Sequence, residues 1–152
     1  MKPEIIAWSL AWEGWIGLTK CSRSKGHAMQ YTPHITIGNT DIELLKKFRD
    51  ITGCGHIYTY NTGKTYKSNW RVQAAWQINN TFEVLEFLQE IYGFLPAKQP
   101  QANLLMEFCR IRLDRKQKGY KGFNMRSGIN TWSIREEEIY QELKKLNKRG
   151  RN

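Results

Sequence analysis

The sequence predicts an α+β domain with the element order α-β-β-α-β-β-α, extended by C-terminal helices. Three observations lead there. Helical and β-rich stretches succeed one another in that order along the first hundred residues. From Arg71 to Ile78 the pattern alternates: Val72, Ala74, Trp76 and Ile78 point one way, and Arg71, Gln73, Ala75 and Gln77 the other. A turn signal at Asn61-Thr62-Gly63-Lys64 separates the last two β-rich stretches as a hairpin would, which makes the sheet antiparallel. The 152 residues suffice for one domain with a sizeable core and are too few for two, so 1–152 is read as a single unit.

The first element is the apolar, helix-length run Ile6–Gly14, IAWSLAWEG. It ends on Glu13, where a negative charge meets the carbonyl end of the helix dipole, a position that favours cations by about 0.3–1 kcal/mol. Gly14 fits as a residue that ends the helix in a left-handed conformation. A locally disfavoured charge at an element junction is a candidate functional group; on spacing alone, a core helix whose last residue reaches solvent fits as well. Trp15–Arg23 and Thr32–Ile37 read as strands, joined by the polar loop Ser22–Gln30. Thr40-Asp41-Ile42-Glu43 offers a capping box, and Ile42, Leu45, Phe48 and Ile51 keep helical spacing up to Gly53. HIYTY from His56 and WRVQAAWQI to Ile78 form the second strand pair. Asn80-Thr81-Phe82-Glu83 then caps a helix with the apolar face Val84, Leu85, Leu88, Ile91 and Tyr92. Pro96 and Pro100 bracket a short loop carrying Lys98, and a helix follows over Gln101–Arg115. Gly119–Asn130 is glycine-rich and basic and reads as a loop. Ser133-Ile134-Arg135-Glu136 is a second capping box, opening a helix to about Asn147 ahead of a basic tail.

Composition narrows the function. Hydrophobic residues make up 40% and aromatics 12%, as in a folded globular protein. The net charge of +10 implies a polyanionic partner, nucleic acid first and an anionic membrane surface second. No run approaches the roughly 18–20 apolar residues that span a bilayer, and the N-terminus lacks a signal-peptide pattern. Cys21, Cys54 and Cys109 are odd in number and widely spaced, which suits reduced thiols in an intracellular protein. Between Arg110 and Arg126 stand the cations Arg110, Arg112, Arg115, Lys116, Lys118, Lys121 and Arg126 against the single anion Asp114. One sign of charge beside glycines reads as a phosphate-contact surface, with an ordinary basic surface the alternative.

The strands add a second signal. Opposite the apolar face stand Arg71, Gln73 and Gln77, with Thr19, Arg23, His34 and Thr36 at matching parity on the earlier strands. Arginine to guanine and glutamine to adenine are the bidentate pairings that read base edges, and a β-ribbon fits the major groove. No nucleophile elbow, P-loop, HExxH or dinucleotide fingerprint is present, and His27, His34 and His56 do not fall at metal-ligand spacing. Glu43, Glu83, Glu86, Glu90 and Glu136–Glu138 read as caps or solvated faces. Glu13 remains, with Lys98 as a cation isolated in a proline-flanked loop.

Ile6-Ala7-Trp8-Ser9-Leu10-Ala11-Trp12-Glu13-Gly14 resembles the nine-residue motif of the LAGLIDADG homing endonucleases, and the order of elements is similar to their core. Asn39-Thr40-Asp41 resembles a junction recurrent in that family. Leu95–Leu105 is similar to its segment in which a lysine lies at the active site, and Glu136–Gly150 to a common C-terminal run. Two features depart from the pattern. Trp8 and Trp12 stand where the family usually has small residues, leaving Ala7, Ser9 and Ala11 for a close helix approach, and Glu13 stands where aspartate is frequent.

The resemblance implies a site-specific DNA endonuclease. A chain with one motif would act as a homodimer, its motif helices side by side on a two-fold axis. Mg²⁺, or another divalent cation such as Mn²⁺, would be held by Glu13 with Gly14; Lys98 would stabilise charge at the phosphate and Asn39 position water. The DNA contacts would come from Thr19, Arg23, His34, Thr36, Arg71, Gln73, Gln77, Arg115, Lys116, Lys118, Lys121 and Arg126. The target would be long and roughly palindromic. An RNA-splicing maturase or a catalytically silent DNA-binding protein of the same fold is the alternative. The expected setting is intracellular: cytoplasmic for an archaeal protein, organellar for one from a plastid or mitochondrial intron.

Overall fold

The computed structural model describes residues 2–21, 30–60, 73–117 and 133–148. The expected turn at Asn61–Lys64, the loop Gly119–Asn130, Val72 and the basic tail beyond Lys148 lie outside the described residues, as does most of the loop Ser22–Gln30.

The first helix, α1 (Pro3–Glu13), begins on Pro3, whose fixed φ and missing N–H suit a first helical position. Its apolar residues occur all round. Ile6, Ala7 and Leu10 are buried in the core, while Ile5, Trp8 and Trp12 are 49%, 65% and 73% exposed. Gly14 follows with φ −91° and ψ 166°, so it is extended and not left-handed as expected from the sequence. Glycine is required there by space. A Cβ would lie 2.3 Å from Leu10 Cδ1 and 2.7 Å from Leu10 Cα and O, because the strand leaves the helix by doubling back against its last turn.

Strand β1 (Gly14–Cys21) pairs antiparallel with β2 (Gln30–Asn39), from Gly14 opposite Ile37 to Cys21 opposite Gln30. Helix α2 (Ile42–Thr52) starts one residue later than the capping box suggested. Asp41 is the N-cap and accepts from Leu44 N at 3.1 Å, while Glu43 pairs with Lys46. Asp41 takes the role because Asn39 Oδ1 accepts its backbone N–H at 2.9 Å and turns the chain ahead of it. Gly53, at φ 65°, ends α2 in the left-handed region that favours glycine. Ile51 is exposed, against the helical spacing that placed it in the core.

Strands β3 (His56–Tyr60) and β4 (Gln73–Ile78) complete an antiparallel sheet of order β1-β2-β4-β3. Ala74, Trp76 and Ile78 face the core, as the alternation predicts. Trp76 is fully buried and stands edge-on to Phe48 and Phe87, with ring centroids 6.2 and 5.4 Å away. Its indole N–H donates to Cys54 O, which satisfies the polar end of an otherwise apolar side chain. Helix α3 (Thr81–Ile91) is capped by Asn80, whose Oδ1 accepts from Phe82 N and Glu83 N. It buries Val84, Phe87, Leu88 and Ile91. After two 3₁₀ turns, α4 (Gln99–Gln117) starts two residues before the expected Gln101 and packs on α3, α5 and β1.

Helix α5 (Ile134–Leu146) opens on the predicted capping box, with Ser133 and Glu136 serving each other's backbone. It lies beside β1, an edge strand of the sheet: Asn147 Nδ2 donates to Ile16 O at 2.9 Å, and Lys20 pairs with Glu137 at 2.9 Å. Arg135 grips Glu107 of α4 through two bonds of 2.7 and 2.9 Å. Glu136, expected as a cap or on a solvated face, is a cap and is fully buried. Among the described residues no helix is long and apolar enough to cross a membrane.

Candidate functional site

Helices α1 to α5 all pack against strands of the sheet, which directs attention to the end of α1 and to the sheet's open face. Glu13 is exposed at the last position of α1. That helix has no basic residue in its own last turn. Lys98 supplies one from the 3₁₀ turn Pro96–Lys98. Its side chain is buried, and Nζ donates to Leu10 O at 2.7 Å and to Gly14 O. A cation on the last carbonyls of a helix offsets the negative end of its dipole. The charge at Glu13 is therefore placed beside a compensated helix end. The resemblance implied a lysine at the active site in this segment; in the structure Lys98 clamps the backbone that carries Glu13.

Asn39 closes β2 and gives its side-chain oxygen to the Asp41 N–H, so it shapes the entry to α2. Gly14 contributes a carbonyl that already accepts from Lys98. No group of three His, Cys, Asp or Glu side chains is gathered for a metal among the described residues. Magnesium needs only one or two carboxylates, the rest of its shell coming from water and phosphate oxygens. An exposed Glu13 fits as one share of such a site. The described residues of one chain do not make the whole of it.

The open face of the sheet is set by register. Thr36 of β2 pairs with Trp15 of β1 and with Gln77 of β4, and Gln77 pairs in turn with His56 of β3, forming one row across all four strands. Thr19, His34, Thr36, Gln73 and Gln77 all share this face, as their parity predicts. Thr19 Oγ1 reaches Thr32 O at 3.5 Å. Gln77 Nε2 donates to His34 Nδ1, and burial lowers the His34 pKa. His56, Tyr58 and Tyr60 lie on the same face and are exposed. They were not singled out from the sequence, although the pairing of HIYTY with the Gln77 strand gives them the same parity. Arg23 and Arg71 lie outside the described residues.

The basic cluster divides in two. Arg115 Nη1 lies 2.9 Å from Glu136 Oε2, and Arg112 Nε 3.5 Å from Glu136 Oε1. Arg112 also donates to Tyr31 O at 2.8 Å. These arginines join α4 to α5 and to β2 around a buried carboxylate, so Arg115 has a structural partner where the sequence suggested a phosphate contact. Nothing local in the sequence marks Glu136 as the partner of these arginines, since they come to it from α4. Lys116 is exposed. Lys118, Lys121 and Arg126 lie outside the described residues.

A comparison with family models finds no match, and neither does one with curated proteins. Solved structures do match. The homing endonuclease I-CvuI, in complex with the I-CreI target in the presence of 2 mM Mg with its DNA not cleaved, is similar at a TM-score of 0.71 and 15% identity, over 99% of this chain and 84% of that one. The archaeal intron-encoded homing endonuclease I-Vdi141I, complexed with DNA, is similar at 0.69 and 17% identity, over 97% of this chain and 85% of that one. The I-SmaMI LAGLIDADG homing endonuclease bound to cleaved DNA matches at 0.64 and 14% identity; 99% of this chain covers 45% of that one. Over nearly its whole length, the chain has the fold of the LAGLIDADG homing endonucleases.

Proposed function

We propose that this protein is a homodimeric, divalent-metal-dependent DNA endonuclease that makes a double-strand break in a long, roughly palindromic site. The observation that carries the reading is the end of α1: an exposed Glu13 on a helix clamped by Lys98, beside the uncovered apolar stripe Ile5, Trp8 and Trp12. Solvent is a poor environment for two tryptophans and an isoleucine at helical spacing. A second copy of α1, laid against the first on a two-fold axis, covers the stripe and places a Glu13 on each side of the axis. Ala7 and Ala11 pack toward the chain's own core, so of the small residues only Ser9 is left on the outer side. The pairing is then aromatic, with the two helices held apart by tryptophan rings.

In this reading the open sheet faces of the two copies lie in successive stretches of major groove, with Thr19, Thr36, Gln73 and the His34–Gln77 pair toward the bases. Lys116 contacts phosphates; Lys118, Lys121, Arg126, Arg23 and Arg71, outside the described residues, are further DNA contacts in this reading on the strength of the sequence. Glu13 would hold Mg²⁺ or Mn²⁺ together with the Gly14 carbonyl and the scissile phosphate. When bound, such an ion lowers the pKa of a water and stabilises charge on the leaving oxygen. The chain's own contribution is positional: Lys98 fixes the helix end so that the carboxylate points outward into the shared centre. Asn39, at the neighbouring strand end, helps to order water there. An intron-encoded protein acting on DNA inside the cell fits the charge and the unpaired cysteines.

The test is Glu13→Gln. Duplex binding is expected to persist while cleavage in Mg²⁺ is lost; a variant that still cuts at the normal rate refutes the assignment. Trp8→Lys with Trp12→Lys is expected to halve the mass in sedimentation without changing the circular dichroism, since both rings are exposed. A second reading is a maturase or a non-cleaving DNA-binding protein. The occupation of Lys98 by backbone carbonyls favours it, because a clamp on α1 is needed for shape even where no chemistry follows. Splicing assays with the cognate intron RNA separate the two.

A further inference from the structure

Two side chains of the open face are joined across strands. Gln77 of β4 stands opposite Thr36 in the register, so His34, two residues earlier on β2, meets it diagonally, a separation that long side chains bridge. The Gln77 amide nitrogen donates to His34 Nδ1. On its other side His34 faces Trp15, ring centroids 6.5 Å apart and tilted by 47°. With the Gln77 amide in this orientation Nδ1 is the acceptor, which assigns the ring proton to Nε2. Half-burial lowers the pKa of the ring, which favours its neutral form.

We propose that His34 is a positioning residue that locks the Gln77 amide in one orientation, so that the pair reads a single base pair in each half-site as a unit. The inference rests on the DNA-binding reading above and deepens it. A primary amide carries two N–H bonds, one on the same side as its oxygen and one on the far side. The oxygen and the near N–H form the edge that matches N6–H and N7 of adenine. The far N–H is spare, and it is the one available to His34. An unheld glutamine turns about its last torsion between two orientations of nearly equal shape, exchanging donor for acceptor at the same point of the groove. Such a side chain accepts adenine in one orientation and a different base in the other. Held by His34, it offers one order of donor and acceptor and rejects guanine, which presents two acceptors on that edge.

Selection of bound sites from a randomised duplex library tests this with the intact chain and three variants. Gln77→Ala is expected to erase the preference at one position of each half-site, which locates the base pair. His34→Leu is expected to flatten the preference at that same position, by about 10-fold in discrimination. His34→Asn places an amide oxygen where Nδ1 stood and is expected to restore the preference. A His34→Leu protein that keeps the wild-type preference at the Gln77 position overturns the proposal, as does a folded His34→Asn protein that fails to restore it. A wild-type protein that selects sites indifferent to Gln77→Ala refutes the pair alone. One that retains no duplex at all refutes the DNA reading beneath it.

Discussion

Replacing Lys98 by methionine keeps a buried stem of similar length and removes the ammonium that reaches Leu10 O and Gly14 O. The two carbonyls do not suffer equally. Leu10 O still accepts the Gly14 backbone N–H, so it keeps a partner. Gly14 O loses a charged donor in a half-buried setting, which costs about 1–3 kcal/mol. The end of α1 also loses a cation at its carbonyls, worth up to about 2 kcal/mol in a partly buried geometry. The sum, about 1–5 kcal/mol, corresponds to a Tm lower by roughly 2–20 °C for a domain of this size. Thermal unfolding followed by circular dichroism, without DNA or metal, is the assay. A lysine whose work is at the phosphate leaves the free protein unmoved, so a Lys98→Met protein that melts with the wild type refutes the clamp.

Two further outcomes are expected. Glu136→Ala leaves Arg112 and Arg115 around an empty, buried position, and removal of one partner from such a cluster costs about 3–5 kcal/mol. Urea unfolding should show a correspondingly lower midpoint, and a shift no larger than that of an exposed ion pair contradicts the packing described. His34 has its pKa depressed by burial below the ordinary 6.5. Because the unfolded chain then takes up a proton that the folded chain resists, its stability contribution is complete above pH 6.5 and is lost as pH falls from there through the folded pKa. The urea midpoint of the wild type should drop across that window more steeply than that of His34→Asn; parallel curves count against a half-buried neutral ring.

Much of the fold was legible because its signals are local. Asn80 and Ser133 cap the helices that follow them, Gly53 ends α2 in the left-handed region, and the alternation of Ala74, Trp76 and Ile78 places them in the core. The misreadings came where a distant contact decides. Gly14 looked like a left-handed terminator, yet the demand for glycine comes from the return of β1 against Leu10. Glu136 looked like a solvated cap residue, and nothing local announces Arg112 and Arg115 beneath it. For the candidate site, Glu13 stood out as a charge at the wrong end of a helix. Its compensation, Lys98, lies 84 residues from Gly14 in sequence, too far for any window of periodicity or spacing to connect. The open sheet face was partly visible from parity. His56, Tyr58 and Tyr60 joined it only once the β3–β4 register was known.

The packing of α5 along β1 bears on how the protein is made. Asn147 and the Ile16 carbonyl it serves are separated by 131 residues. At ordinary elongation rates, β1 therefore leaves the ribosome roughly 7–26 s before its covering helix exists. During that interval one border of the growing sheet has only water, chaperones or a neighbouring nascent chain to pair with. Lys20, projecting from that border before Glu137 has been synthesised, then has a second use as a charge that discourages strand-to-strand association between chains on the same message.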